Sequence, residues 1–248
     1  MSEKAVSVQN VNYRYPFQNK QCLEGINLDI TVGERFGLFG PNGAGKTTLL
    51  SLMTGLFKLQ SGSISLMGHP VGNRKDINAL FGYVPQEFSF YEELTATENL
   101  EFFGTLSGLK GKQLADRIME LMEILGLISS RKKRVQQFSG GMKRRVNLAI
   151  GVIHNPKILF LDEPTVGVDI QTRHQIIEFL KNLNKEGTTL VYTSHLLREA
   201  EELCDNVALI DEGRVIEHQN IEELLASHNE VGLEGLFLKL TGKTYRDN

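Results

Sequence analysis

The sequence predicts an α/β fold: a core with a mixed sheet, an N-terminal antiparallel β region and an inserted helical subdomain. Three observations predict it. A glycine-rich stretch, Gly40–Thr48 (GPNGAGKTT), lies between an apolar strand and a helix. Upstream of it, short apolar-polar segments mark two further strands. From Thr95 to about Ile153 strand patterning gives way to helical periodicity, and strands return after Lys157.

Taken in order, Ala5–Val11 alternates apolar and polar residues and reads as a strand, and Leu23–Ile30 reads as a second. Between them Tyr15 either stacks on a purine base or packs on the sheet edge. Val32-Gly33-Glu34 turns the chain into the buried strand Arg35–Phe39. Gly40, Pro41, Asn42, Gly43, Ala44, Gly45, Lys46, Thr47 and Thr48 follow as a phosphate-binding loop. Its glycines let backbone N–H groups close round a phosphate. Lys46 can reach the β- and γ-phosphates as a point charge, and the Thr47 hydroxyl can ligate Mg²⁺. The helix starting at Lys46 carries Leu49, Met53 and Leu56 on one face and presents its N-terminus to the anion.

Ser63–Met67 reads as a short strand, Gly68-His69-Pro70 as a turn and Phe81–Pro85 as a buried strand. Gln86, just past that strand, is either a solvated amide or one that meets Mg²⁺ or the attacking water. Thr97 is expected to cap a helix bearing Leu100 and Phe103; Leu114, Ile118, Leu121, Met122 and Leu125 follow a second helical period closed by Gly126. Arg131–Arg134 reads as a solvated basic loop. Ser139, Gly140 and Gly141 open a further helix, as a second anion site or as a plain N-cap and turn.

Lys157–Asp162 is an apolar strand that ends in the adjacent carboxylates Asp162 and Glu163, at the edge where open α/β sheets bind ligands. Side chains alternate along a strand, so Asp162 is assigned to Mg²⁺ and Glu163 to the attacking water. A helix bearing Ile176, Ile177, Leu180 and Leu183 leads through Gly187 to the strand Thr189–Thr193, which delivers His195 to the same edge, either as a polar loop residue or as a γ-phosphate contact. A hairpin of Asn206–Ile210 and Arg214–Glu217, a short helix at Ile221–Ala226 and a helical tail to Gly242 complete the chain. The organisation expected is one domain over 1–248: an α/β core in 1–94 and 154–220, a helical subdomain in 95–153 and a C-terminal helical tail in 221–248.

Of the 248 residues, 41% are hydrophobic, enough for a large core. A formal net charge of −3 argues against a nucleic-acid partner. The 2 cysteines make neither a disulfide framework nor a zinc pattern. No apolar run approaches the roughly 18 residues of a membrane span, and the N-terminus shows no secretory h-region.

The phosphate loop, Gln86, Ser139-Gly140-Gly141, Leu161-Asp-Glu-Pro164, Asp169 and His195 stand in the order and spacing of an ABC-type ATP-binding subunit, which this chain resembles over nearly its whole length. The resemblance implies a P-loop NTPase core, ATP and Mg²⁺ as cofactors, and ATP hydrolysis coupled to transport through a separate integral membrane permease. It implies that Tyr15 stacks on adenine and that Gln86 links Mg²⁺ to the membrane-facing surface. Ser139, Gly140 and Gly141 are implied to close on the γ-phosphate held by a second copy or a homologous subunit, with Asp169 as an inter-subunit carboxylate. Two departures stand out: Phe138-Ser-Gly-Gly-Met142 replaces Leu-Ser-Gly-Gly-Gln, and Val166-Gly-Val168 replaces the commoner Ser-Ala-Leu. The run Phe138–Arg145 and the tail Leu238–Gly242 resemble the bacterial exporter branch that handles drugs, lipids, polysaccharides or sodium. A peripheral protein on the cytoplasmic face of the membrane, soluble when isolated, is the expectation. The alternative is a soluble ATPase of the same family without a permease, such as one serving iron–sulfur cluster assembly.

Overall fold

Two sheets share one apolar layer in the computed structural model, which describes residues 3–73 and 77–242; positions 1–2, 74–76 and 243–248 of the expected span lie outside the described residues. Strands β1 (Lys4–Tyr13), β2 (Leu23–Thr31), β4 (Ser61–Leu66) and β5 (His69–Pro70) form an antiparallel sheet in the order β2-β1-β4-β5. Strands β3 (Arg35–Phe39), β6 (Phe81–Val84), β7 (Ile158–Asp162), β8 (Thr189–Ser194), β9 (Asn206–Asp211) and β10 (Arg214–Asn220) form the second, in the order β10-β9-β3-β8-β7-β6. All its pairings are parallel except β10 with β9, so the sheet is mixed as expected.

The sequence of β7 explains the layering. All five of its residues are buried, as required of a parallel strand covered on both faces. Period two then sorts them: Leu159 and Leu161 join Leu190, Tyr192 and the helical region on one face. Ile158 and Phe160 join Val191, Phe36 and the antiparallel sheet on the other. Each such fully buried side chain contributes about 1.5–3 kcal/mol of transfer free energy.

The helices are α1 (Lys46–Met53), α2 (Ala96–Leu106), α3 (Gly111–Ile124), α4 (Gly140–Val152), α5 (Ile170–Lys185), α6 (Leu197–Leu203), α7 (Ile221–His228) and α8 (Leu233–Thr241). Between α1 and α4 the inserted helices α2 and α3 bury Leu100, Ile118, Leu121 and Met122 in the core they share with β7.

Four sequence readings change. Leu56 is exposed rather than part of the buried face, because α1 stops at Met53 and Gly55 turns the chain at φ 69°. Thr95, not Thr97, caps α2: its hydroxyl accepts from Glu98 N–H while the Glu98 carboxylate accepts from Thr95 N–H, a capping box worth about 1 kcal/mol. His69-Pro70 is a short strand, not only a turn. Helix α6 was not anticipated, and the tail is docked, with Leu233, Leu236 and Phe237 buried.

Candidate functional site

An open pocket of about 830 Å³ lies at the carboxyl ends of β3, β7 and β8, bordered by Tyr15, Lys46, Thr47, Gln86, Glu163 and His195. The loop that forms its floor is held by packing as much as by its own conformation. A Cβ at Gly40 would meet the Ile210 carbonyl of β9 at 2.1 Å, so that glycine is required by the neighbouring strand. Gly43 adopts φ 81° with open space around it, the backbone freedom expected of an anion-binding turn. Pro41 and Ala44 brace the loop: Ala44 N–H donates to Pro41 O at 3.1 Å, and Ala44 O accepts from Gly213 N–H at 3.0 Å.

Lys46 is buried. Its ammonium donates to Gly40 O at 2.8 Å and Pro41 O at 3.2 Å and stands 4.0 Å from Glu163 Oε1. Burial pulls its pKa below the ordinary lysine value; Glu163 and Asp162 oppose that pull. A cation so placed gains from a triphosphate, which replaces neutral carbonyls with charged oxygens.

Asp162, at the end of β7, is almost wholly enclosed. Its Oδ1 accepts from Thr193 Oγ1 at 2.7 Å and from Thr47 Oγ1 at 3.2 Å. Burial raises its pKa despite those bonds, the mark of a carboxylate short of positive charge. Thr47 and Asp162 thus supply adjacent hard oxygens that fit Mg²⁺, an ion that takes one or two protein ligands and completes its shell with phosphate and water. Gln86 borders the same space.

Glu163 follows with φ 50°, a left-handed conformation that costs a non-glycine residue of order 1–3 kcal/mol. Its N–H is pinned to Thr193 O at 3.1 Å. The turn swings its carboxylate away from the Asp162 side, into the pocket. There Gln86 Nε2 donates to Glu163 Oε2 at 3.2 Å. His195 Nδ1 stands 3.2 Å from the same oxygen but is not aligned as a hydrogen bond. Glu163, Gln86 and His195, assigned separately from sequence, are therefore one cluster.

Tyr15 borders the pocket while its ring packs edge-on against Tyr13 and Phe57, and its hydroxyl shares a 2.8 Å hydrogen bond with Thr48 Oγ1. Tyr15 packs at the sheet edge, one of its two sequence readings, and also borders the pocket.

Ser139, Gly140, Gly141 and Asp169 are not on this pocket. Ser139 is the exposed N-cap of α4, accepting from Met142 N–H at 3.3 Å, and the first turn of α4 carries no acidic residue. Asp169 is the exposed N-cap of α5; it accepts from Thr172 N–H at 2.9 Å and Thr172 Oγ1 at 2.7 Å, bonds that lower its pKa.

Two buried groups escaped sequence reading. Arg144 of α4 donates to Gln86 O at 2.8 Å and Val166 O at 3.3 Å. Glu199 of α6 accepts from Tyr192 Oη at 2.6 Å and Thr165 Oγ1 at 2.8 Å. Arg144 sits in a charged run that resembles a solvated face, and Glu199 in a short helix rich in glutamate; neither carried a signal of burial.

The ABC transporter family profile matches residues 23–166. The linearmycin resistance ATP-binding protein LnrL of Bacillus subtilis (strain 168) is 42% identical over 210 residues, covering 84% of this chain and 68% of that protein. The Nod factor export ATP-binding protein I of Cupriavidus metallidurans is 39% identical over 228 residues, covering 92% and 75%. Among solved structures, an ATP-binding subunit of an ABC transporter superposes with a TM-score of 0.87 at 27% identity, covering 96% of this chain and 99% of that one. A dimeric, post-hydrolysis ATP-binding cassette bound to ADP and Pi gives 0.78 at 27% identity, covering 87% and 98%.

Proposed function

The chain belongs to the ABC transporter family as an ATP-binding subunit, and on that premise we propose that it hydrolyses ATP to power export through a separate integral membrane permease. The observation that carries this is the cluster of Lys46, Thr47, Glu163, Gln86 and His195 round one pocket, with Asp162 buried behind Thr47 and bonded to it, and with Ser139 exposed at the start of an acid-free helix elsewhere on the surface. In this reading ATP stacks its base on Tyr15 and lays its phosphates on the loop from Gly40 to Thr48. Thr47, Asp162 and Gln86 would hold Mg²⁺, which would supply positive charge against that of the phosphates. Glu163 orients the attacking water and accepts its proton, and His195 contacts the γ-phosphate.

The γ-phosphate is then covered by Ser139, Gly140 and Gly141 of a second copy, whose α4 N-terminus supplies free N–H groups and the positive end of a helix dipole. Two nucleotides become part of the interface, so ATP drives association by mass action and hydrolysis releases it. Relatives named for linearmycin resistance and Nod factor export support the export direction. No described helix is long and apolar enough to cross a membrane, so passage falls to the permease.

The permease surface is assigned to Phe88–Glu93. Phe88 and Tyr91 are exposed; Tyr91 meets exposed Phe102 edge-on at 5.2 Å. Phe90 instead packs on the core of the helical region. Affinity capture of the tagged protein from detergent-solubilised membranes tests the proposal. A multi-span partner is the expected result; capture of soluble partners alone contradicts it and favours the ATPase without a permease.

A further inference from the structure

We propose that Arg144 is a positioning residue that holds the Gln86 main chain, the Val166 turn and helix α4 in one register, and so sets the Gln86–Glu163 contact on which hydrolysis depends. The inference rests on the ATPase reading above. It starts from a cation in an unusual place. Arg144 is only 5% exposed, and burial pulls its pKa below the ordinary value. A buried charge is costly unless satisfied. The two terminal nitrogens of the guanidinium meet main-chain carbonyls, while the buried Nε has no partner among the described residues: Nη1 donates to Gln86 O at 2.8 Å and reaches Pro85 O at 3.5 Å, and Nη2 donates to Val166 O at 3.3 Å. Its flat face lies over the Phe88 ring, 4.9 Å from the centroid.

Those acceptors belong to two segments that are remote in sequence from each other and from α4. Gln86 donates its side-chain amide to Glu163. Val166 lies in the turn between Glu163 and Asp169, and its N–H bonds Glu163 O at 3.3 Å. Arg144 itself is one and a half turns from Ser139, on the helix whose N-terminus faces the second copy. The planar fork is the one side-chain shape that can meet Gln86 O and Val166 O together; a lysine offers a single point of charge. Asn147, one turn further along α4, ties both ends of the same loop, donating to Pro85 O at 3.0 Å and accepting from Ser89 N–H at 3.4 Å. A movement of α4 is thereby carried to Gln86 through Arg144, not through the phosphate loop.

The test is Arg144→Gln and Arg144→Lys in the full chain, with kcat, the Kd for MgATP and Tm measured beside wild type. Both variants leave Lys46, Thr47 and Tyr15 intact. The expected result is a fall in kcat of about tenfold or more with Kd unchanged within about twofold and the fold retained, the lysine variant being no better than partly restored. Wild-type kcat in either folded variant overturns the proposal. So does a parallel loss of affinity and turnover, or loss of the fold in both variants, since each marks Arg144 as a purely structural residue. A wild-type protein that releases no phosphate overturns the ATPase reading itself, whereas an active wild type beside an unimpaired variant overturns only the role of Arg144.

Discussion

The two ends of this chain to which we assign phosphate binding are built differently. At the phosphate loop, Lys46, Asp162 and Glu163 are buried, each tied to main chain or to another side chain of the pocket, and both carboxylates end one fully buried strand. At the start of α4, Ser139 and Gly140 are exposed and the cap is closed on itself. The first end is nearly complete within one chain. The second is an exposed helix start that does not border the pocket of the first. Charge concentrated in a low-dielectric pocket is poised to bind and react; exposed N–H groups gain worth only when a partner excludes water from them.

Breaking the first end should show the larger effects. Glu163→Gln is expected to lower the rate of phosphate release by about 10²–10⁴, the usual worth of a general base, with MgATP binding kept. Unaltered turnover would place the base elsewhere and dissolve the Glu163–Gln86–His195 cluster as a catalytic unit. Lys46→Ala removes a charge-assisted contact worth roughly 1.5–3 kcal/mol, so nucleotide titration should read an affinity loss of about 10- to 150-fold. An unchanged Kd would mean that the lysine serves the loop carbonyls alone.

Ser139→Ala sharpens the contrast from the other side. Nucleotide binding to the single chain should stay within about twofold, while ATP-dependent association weakens by the worth of one hydrogen bond, about 1 kcal/mol or fivefold. A loss of binding in the isolated chain would contradict the division into two ends. The smallest effect concerns Asp162. Its folded pKa is raised by burial, so its ionised form weighs against the nucleotide-free fold. That deficit grows as pH rises through the unfolded carboxylate value, near 3.9, towards the folded one, and persists above it. Asp162→Asn should therefore raise the Tm of the nucleotide-free protein at neutral pH, by about 2–4 °C per kcal/mol relieved, and the gain should vanish below about pH 4. Thermal scans with and without Mg²⁺ read both, and a lower Tm would show that the bonds from Thr47 and Thr193 outweigh the burial.

The same contrast governs what could be read from the sequence. The phosphate loop, Asp162 and Glu163 were legible because phosphate and Mg²⁺ chemistry fixes residue type and spacing along a continuous strand and turn. The strand at Lys157–Asp162 was legible as an apolar run, though its two faces emerge only from the clusters that Leu159 and Leu161, or Ile158 and Phe160, join. What was missed depends on tertiary placement. Glu98 stands three residues after Thr95, a capping-box signal that was present but passed over for Thr97. Burial of Arg144 and Glu199 depends on which carbonyls and hydroxyls lie opposite them, and no local pattern records that. Gly40 was singled out for a phosphate, and no sequence signal showed that strand β9 also forbids a side chain there.

The central claim is that the two ends meet across two copies of the chain around ATP. Size-exclusion chromatography of Glu163→Gln with MgATP tests it most directly, with wild type run alongside. The amide keeps the size of the side chain, the contacts of Lys46, Thr47 and Ser139 remain, and removal of one negative charge per site beside each triphosphate favours closure. The account predicts that the variant elutes as a dimer in MgATP and as a monomer without nucleotide, while wild type returns to monomer as ATP is consumed. A variant that binds MgATP, fails to hydrolyse it and still elutes as a monomer would contradict the account, leaving Glu163 its role in hydrolysis and Ser139 no partner to meet.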